Sequence, residues 1–120
     1  MNEESQNKKV VLTAAQPTGR LHLGNYLGAV KNWVEMSQDY ECYFGIADMH
    51  AMTIPYVPAE LRKNVYDCAA QYMACGLDPQ KCSLFVQSGV YGHADLAWIL
   101  GCLCPLGALE RTKRASTATR

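Results

Sequence analysis

Apolar residues along the chain alternate between two spacings. In three short segments they form nearly continuous β-prone runs, which are typical of strands buried in a sheet. In three longer segments they recur three and four positions apart, as they do on one face of a helix. Strands are predicted over Val10–Ala14, Glu41–Asp48 and Lys81–Gln87, and helices over Gly24–Met36, Pro58–Cys75 and His93–Leu103. Strands that alternate with helices predict βαβ units with right-handed crossovers, and hence an α/β fold with a parallel sheet.

Two of the predicted helices carry further signals. The first has two apolar rows, so we expect it to be covered on more than one side. The rows are Leu23, Leu27, Val30 and Val34, and beside them Tyr26, Ala29, Trp33 and Met36. The second helix begins with Pro58, which suits a first turn, and Gly76 ends it.

Composition narrows the class of protein. The chain has 120 residues, of which 49% are hydrophobic and 18% charged, as expected of one packed globular domain. Eleven basic residues balance eleven acidic ones, so net charge gives no case for a nucleic-acid or membrane partner. The polar N-terminus lacks the apolar core of a signal peptide, and the apolar run Leu96–Leu109 is shorter than the about 20 residues of a membrane span. We therefore expect no membrane association and a cytoplasmic protein.

Six cysteines raise the questions of disulfides and metal binding. Without a secretory signal the compartment is expected to be reducing, and there is no Cys-x-x-Cys pair or His/Cys cluster at metal-ligand spacing. Cys68 and Cys75 share the apolar face of the second helix. The sequence therefore predicts small core residues and no metal site.

The two ends of the chain differ from its middle. Residues 1–9 form a polar tail, and residues 112–120 are basic and without apolar periodicity, unlike the region 10–111 between them. A solvated tail is the simpler interpretation of the C-terminal stretch. A basic patch for RNA is the alternative.

The candidate chemistry lies in the stretch AAQPTGRLHLGNYLGA, residues 14–29. It follows the first strand and leads into the first helix, where free N–H groups and the helix dipole favour an anion such as phosphate. The residues suited to bind there are Gln16, Thr18, Gly19, His22, Gly24 and Asn25. The stretch is neither GxxxxGK[ST] nor GxGxxG, so the residues alone leave open whether it binds a ligand or is only a turn.

The same stretch resembles a known motif. His22-Leu23-Gly24-Asn25 is similar to the HIGH motif of class I aminoacyl-tRNA synthetases, and QPTGRLHLGNYLGA resembles its version in tryptophanyl-tRNA synthetases. The later stretches that resemble this family in order and spacing are YECYFGIADMHAMT (40–53), PAELRKNVYDCAAQYMACGLDP (58–79), SLFVQSGVYGHADLAWILGCL (83–103) and LGALER (106–111). The resemblance implies the first half of a Rossmann-like parallel sheet, βαβαβα, incomplete here.

The resemblance also implies roles for single residues. The residues that would contact ATP are Gln16, Pro17, Thr18, Gly24 and Asn25. His22, with Gln16, would act in catalysis by stabilising phosphate charge. Asp48 and His50 would lie beside the tryptophan pocket. From the residues alone there are alternatives. Asp48 could cap a helix or a loop, and His50 could be a buried imidazole whose hydrogen bonds are satisfied. Gln87 and Ser88 are weaker candidates for the cleft, and Trp98 is expected in the core or at a subunit interface.

The implied function is tryptophan–tRNA ligation. Tryptophan would be activated by ATP, with Mg²⁺, to an adenylate and transferred to tRNA-Trp, by an enzyme that is a homodimer in the full-length family. The sequence lacks the family's KMSKS loop and its later parts, so we expect a truncated fragment, inactive alone, with an unpaired edge on strand 1. The alternatives are a stand-alone adenine-nucleotide-binding or subunit-pairing module, and a small nucleotidylyltransferase.

Overall fold

The computed structural model describes residues 8–108, 110 and 111, so the basic tail predicted over 112–120 lies outside the described residues. The chain forms two compact units, and the boundary between them lies between Gly89 and Val90. The strands are β1 (Val10–Ala15), β2 (Glu41–Ile46) and β3 (Ser83–Val86). The helices are α1 (23–39), α2 (Asp48–Ala51), α3 (Pro58–Ala74) and α4 (Tyr91–Leu103), and a 3₁₀ turn spans Gln87–Gly89. The predicted order of strands and helices is confirmed.

The strands of the first unit form one parallel sheet in the order β1-β2-β3. β2 lies in the middle, and its side chains Phe44 and Ile46 are fully buried. β1 lies at an edge of the described sheet, and Val10 and Leu12 are 63% and 68% exposed there. The α/β fold is confirmed, and in the described sheet β1 pairs with a neighbour on one side.

Two predicted strands end earlier than expected. Ala47, with φ −85° and ψ 67°, leaves the extended conformation, so Asp48 begins α2 instead of ending β2. Gln87 begins the 3₁₀ turn instead of ending β3. Both corrections move a candidate site residue from a strand into the connection that follows it.

Helix α1 contains a π-helical turn. Its α-helical ends, Leu23–Asn25 and Lys31–Asp39, flank π-helical residues Tyr26–Val30. Val30 and Trp33 face the core, whereas Leu23 and Leu27 are exposed. Both apolar rows of α1 have members in or against the core, since Val30 is buried and Val34 packs beside it, and only Leu23 and Leu27 at the start of the first row are largely exposed.

An aromatic cluster of Trp33, Phe44 and Tyr72, called here the aromatic core, lies between the sheet and helices α1 and α3. The Trp33 ring stacks on Phe44 at 5.1 Å and meets the Tyr72 ring edge-on at 5.4 Å. Cys68 is buried beside them and Cys75 packs against the same cluster, which confirms their prediction as small core residues. Burial raises the pKa of the Cys68 thiol and of the Tyr72 hydroxyl, and their mutual hydrogen bond raises the pKa of Tyr72 further.

The second unit contains α4, an apolar helix with no buried side chain among its residues. Its exposed apolar side chains are Leu96, Trp98, Ile99, Leu100 and Leu103. Trp98 is 76% exposed, so its placement in a core is wrong, and the interface role stays a prediction. Within the described part of the chain, no helix is long and apolar enough to cross a membrane.

Candidate functional site

The three parallel strands end at one edge of the sheet, and the connections that follow them carry the predicted site residues. Two hydrogen bonds join these connections. Ala47 N–H donates to Ala15 O at 2.9 Å, and Ser88 N–H donates to Asp48 Oδ1 at 3.0 Å. The first bond links the end of β1 to the segment after β2, and the second links the segments after β2 and β3. Both lie at the edge where open parallel sheets bind ligands.

Residues 16–22, called here the β1–α1 turn, lead from the first strand into the first helix. Thr18 N–H donates to Gln16 O at 2.9 Å, across the buried Pro17. Gly19 has a φ of 93°, a left-handed conformation that glycine adopts without steric cost. The turn therefore has a defined, compact shape that brings the Gln16 and Thr18 side chains to the end of β1.

His22 ends the turn as the N-cap of α1. Asn25 N–H donates to His22 Nδ1, and His22 N–H donates to Asn25 Oδ1, each at 3.3 Å, which makes a reciprocal capping box. Because Nδ1 accepts a hydrogen bond, a neutral His22 carries its proton on Nε2. The exposed imidazole is thus both the capping residue that its position predicts and a ring with an N–H donor at the helix N-terminus.

Gly24 makes room for that ring. A Cβ at this position would lie 3.1 Å from both Cε1 and Nδ1 of His22, so an alanine would push the imidazole by a few tenths of an ångström. The N–H groups of Leu23 and Gly24 belong to the first turn of α1, where no intrahelical acceptor is available. The predicted anion site therefore keeps two main-chain donors beside the capping box.

One cavity brings four of the predicted residues together. Gln16, Pro17, Thr18 and His50 line a cavity of about 370 Å³. The rest of its wall is Ala51, Thr53, Ile54, Pro55, Tyr56, Val57, Glu60, Leu61 and Asn64. This volume lies within the range of small-molecule sites, about 300–1,000 Å³.

The other predicted residues lie in or beside neighbouring cavities. Asn25 shares a small cavity of about 50 Å³ with Gln16 and Thr18. Asp48 lines a third cavity of about 400 Å³, which also includes Ser88. The other predicted site residues line three cavities that share wall residues, and His22 and Gly24 lie outside them.

Asp48 and His50 are placed differently by the short helix α2. Asp48 is 8% exposed, and one of its carboxylate oxygens accepts from Ser88 N–H in the 3₁₀ turn, as its interpretation as a cap predicts. Asp48 also lines the third cavity, and its role beside a tryptophan pocket stays a prediction. His50 is exposed and lines the first cavity, so its interpretation as a satisfied buried imidazole is wrong.

Three further polar side chains escaped the sequence analysis. Tyr56 lines both larger cavities and Arg62 lines the third. Gln71 binds the β1–α1 turn through its side-chain amide. Gln71 had a detectable signal, since it is a polar residue between the buried Cys68 and Tyr72 on the core side of α3.

The described residues contain no group of three or more His, Cys, Asp or Glu side chains that could hold a metal ion.

Comparison with models of known protein families identifies the family of this chain. The family model for class I tRNA synthetases (W and Y) matches residues 4–120. The chain belongs to this family. The resemblance of the β1–α1 turn and of the later stretches is thereby confirmed for nearly the whole chain.

The curated relatives that this chain is similar to include tryptophan–tRNA ligases. The chain is 49% identical to the ligase of Prochlorococcus marinus over 104 residues, which cover 87% of this chain and 31% of the relative. It is 55% identical to that of Thermosynechococcus vestitus over 100 residues, or 83% of this chain and 30% of the relative. The chain thus spans about a third of the length of the relatives it matches.

Solved structures agree with the fold. The tryptophanyl-tRNA synthetase of Campylobacter jejuni complexed with ADP and tryptophan matches with a TM-score of 0.81 and 38% identity, over 92% of this chain and 35% of that one. The enzyme of Mycoplasma pneumoniae matches with a TM-score of 0.83 and 34% identity, over 95% and 34%. These likenesses confirm the Rossmann-like fold of the synthetase chain.

Proposed function

We propose that this chain supplies the ATP- and tryptophan-binding edge of a tryptophan–tRNA ligase. In the reaction, the tryptophan carboxylate attacks the α-phosphorus of ATP, pyrophosphate leaves, and the adenylate then passes its aminoacyl group to tRNA-Trp. Such a displacement needs positioning and charge stabilisation more than a covalent nucleophile. The observation that carries the proposal is the cavity in which Gln16, Pro17 and Thr18 meet His50 at the carboxyl ends of β1 and β2.

The ATP half of the proposal rests on the β1–α1 turn and the start of α1. Gln16 and Thr18 offer neutral hydrogen bonds, and the first-turn N–H groups with the helix dipole favour phosphate. His22 Nε2–H adds a donor whose orientation the capping box fixes. This donor would stabilise the charge that develops on the phosphates as pyrophosphate leaves.

The tryptophan half rests on the cavities that His50 and Asp48 line. The third cavity places the buried Asp48 near apolar and aromatic side chains, which suit an amino acid with a large ring. The aromatic and apolar members of its wall are Met52, Tyr56, Pro58, Leu61, Val65, Tyr66 and Val86. A carboxylate in such a wall would attract the ammonium group or the indole N–H.

The proposal extends to the surroundings of the reaction. Mg²⁺ would arrive with ATP, tRNA-Trp would be the acceptor, and the complete enzyme would work in the cytoplasm as a homodimer. The support is family membership, together with the structure of a similar protein complexed with ADP and tryptophan. The sequence contains no KMSKS loop, so we expect the 120-residue chain to bind both ligands with little tryptophan-dependent ATP–pyrophosphate exchange.

A crossed binding experiment tests the two halves. ATP and tryptophan affinities are measured by isothermal titration calorimetry for the chain, for Thr18→Ala and for Asp48→Asn. We expect Thr18→Ala to weaken ATP about five- to tenfold and leave tryptophan unchanged, since one hydrogen bond is lost. Asp48→Asn should weaken tryptophan binding and leave ATP affinity unchanged. It still offers an oxygen to Ser88 N–H, so its effect would report the charge.

Asp39→Asn is the matched control, because Asp39 is an exposed carboxylate at the end of α1. It should change neither affinity. An absence of measurable ATP binding would overturn the ATP half of the proposal. Equal losses of both ligands in both variants would overturn the division of the site. ATP binding with pyrophosphate exchange that depends on an acceptor other than an amino acid would favour a nucleotidylyltransferase.

A further inference from the structure

The side-chain amide of Gln71 spans the gap between helix α3 and the β1–α1 turn. Its Oε1 accepts from Leu21 N–H at 2.7 Å, and its Nε2 donates to Gly19 O at 3.3 Å. The same Nε2 donates to Asp67 O, one turn earlier in α3, at 3.0 Å. We infer that Gln71 is a positioning residue that holds the β1–α1 turn in its ligand-binding shape. The ligand part of this inference rests on the proposed ATP site.

The bonding pattern requires an amide. One acceptor meets the Leu21 N–H, and two donors meet the carbonyls of Gly19 and Asp67. A glutamate would keep the acceptor but set a carboxylate against two carbonyl oxygens. A leucine of similar size would keep the packing and lose all three bonds. The contribution of the amide can therefore be separated from that of side-chain volume.

Packing alone does not fix the turn. The cavity of about 50 Å³ lies among residues of the turn, helix α1 and the aromatic core, so contacts there are incomplete. Gly19, at the middle of the turn, has the widest conformational freedom of any residue. Gln71 binds the turn at Gly19 and again at Leu21, on the helical side of this glycine. It thereby restrains Gly19 and Leu21, which lie between Thr18 and the His22 cap.

The restrained segment connects the proposed ATP contacts. Gln16 and Thr18 lie just before the two bonded residues, and His22 lies just after them. A shift of the Gly19 carbonyl or the Leu21 amide would therefore change the distance between the Thr18 hydroxyl and the His22 ring. Gln71 itself lines none of the three cavities that contain predicted site residues, so it acts through the turn and is not a catalytic residue.

The experiment compares Gln71→Leu and Gln71→Glu with the wild-type chain. Gln80→Leu is the matched control, since Gln80 is an exposed glutamine before β3, far along the chain from the turn. Two quantities are measured: amide hydrogen exchange at Leu21 by NMR, and the Kd of ATP by calorimetry. Tryptophan affinity and the urea midpoint are recorded for every variant.

We expect Gln71→Leu to speed Leu21 exchange about tenfold and raise the Kd of ATP about five- to tenfold, because two restraints on the turn are lost. Gln71→Glu should lie between it and the wild type, since it keeps the acceptor for Leu21 N–H. Tryptophan affinity should be unchanged in both. Gln80→Leu should leave all four measurements at their wild-type values.

Three outcomes would overturn the inference. One is unchanged Leu21 exchange in Gln71→Leu. Another is faster exchange with an unchanged Kd of ATP, which would mean that Gln71 holds the turn without serving the ligand. The third is an equal loss of ATP and tryptophan affinity in step with a lowered urea midpoint, as a purely structural role would give. If the wild-type chain binds no ATP, the proposed function fails, and Leu21 exchange still decides whether Gln71 orders the turn.

Discussion

The β1–α1 turn and the aromatic core lie next to each other but are stabilised in different ways. Phe44 in the core is fully buried and packs against Trp33, with ring contacts and apolar neighbours around it. The turn borders a small cavity and depends on a few directional hydrogen bonds that it makes with the side chains of Gln71 and Asn25. Substitutions in the core should therefore change stability, and substitutions at the turn should change ligand affinity.

Phe44→Ala should have the largest effect on stability. Removing a fully buried aromatic ring costs about 3–5 kcal/mol, a large part of the stability of a small domain. Urea denaturation followed by tryptophan fluorescence measures this loss, since Trp33 stacks on the missing ring. Below the unfolding transition, the Kd of ATP should stay within about twofold of the wild-type value, because no contact of the turn is removed.

Tyr66→Ala provides the control for Phe44→Ala. Tyr66 is an aromatic side chain on α3 with 70% of its surface exposed, so its removal should change the free energy of unfolding by about 0.5 kcal/mol or less. A Phe44→Ala variant that is as stable as Tyr66→Ala would contradict the described core. One that is folded but has lost ATP binding would contradict the separation between core and turn.

Alkaline pH should weaken the core by a smaller amount. The pKa values of Cys68 and Tyr72 are raised from the ordinary values of 9.0 and 10.0, so the folded chain keeps protons that the unfolded chain releases. The stabilisation is complete below the ordinary pKa values and is lost as pH rises through them. We expect the urea midpoint to be level up to about pH 8 and to fall from about pH 9 upward.

Tyr72→Phe isolates one of these groups. It removes the buried hydroxyl, so the fall above pH 10 should become shallower than in the wild type. Tyr66→Phe changes an exposed tyrosine on the same helix and should leave the pH dependence as it was. If both variants follow the wild-type curve, Tyr72 does not titrate differently in the folded and unfolded states.

Much of the fold could be predicted because it depends on local periodicity. The spacing of Val65, Cys68 and Tyr72 gives α3 and its buried face, and the β-prone runs give the three strands. The edge that carries the site also follows, because parallel strands place their carboxyl ends together. The residues to which the family resemblance assigns roles lie at this edge, and the roles themselves stay predictions.

The parts that escaped prediction depend on contacts between distant positions. Gln71 meets Leu21 across fifty residues, and Asp48 meets Ser88 across forty. No local pattern records such pairs. The same limit explains why Leu23 and Leu27 of α1 are exposed, because apolar spacing shows which residues share a helix face and not whether another element covers each of them.

Gly24→Ala should have the smallest effect on stability and is the finest test of the turn. Alanine in place of a helical glycine gains about 1 kcal/mol of helix propensity. The new Cβ would displace the His22 ring, and a weakened N-cap costs about as much. The two terms should nearly cancel in the free energy of unfolding, while amide exchange at Asn25, whose N–H donates to His22 Nδ1, becomes faster.

Gly28→Ala is the control, because Gly28 lies in the same helix and nothing is within 4 Å of the new Cβ. This variant should gain stability with unchanged Asn25 exchange. If Gly24→Ala behaves like Gly28→Ala, the imidazole does not occupy the space beside Gly24, and the capping box cannot be what orients the His22 donor toward a ligand.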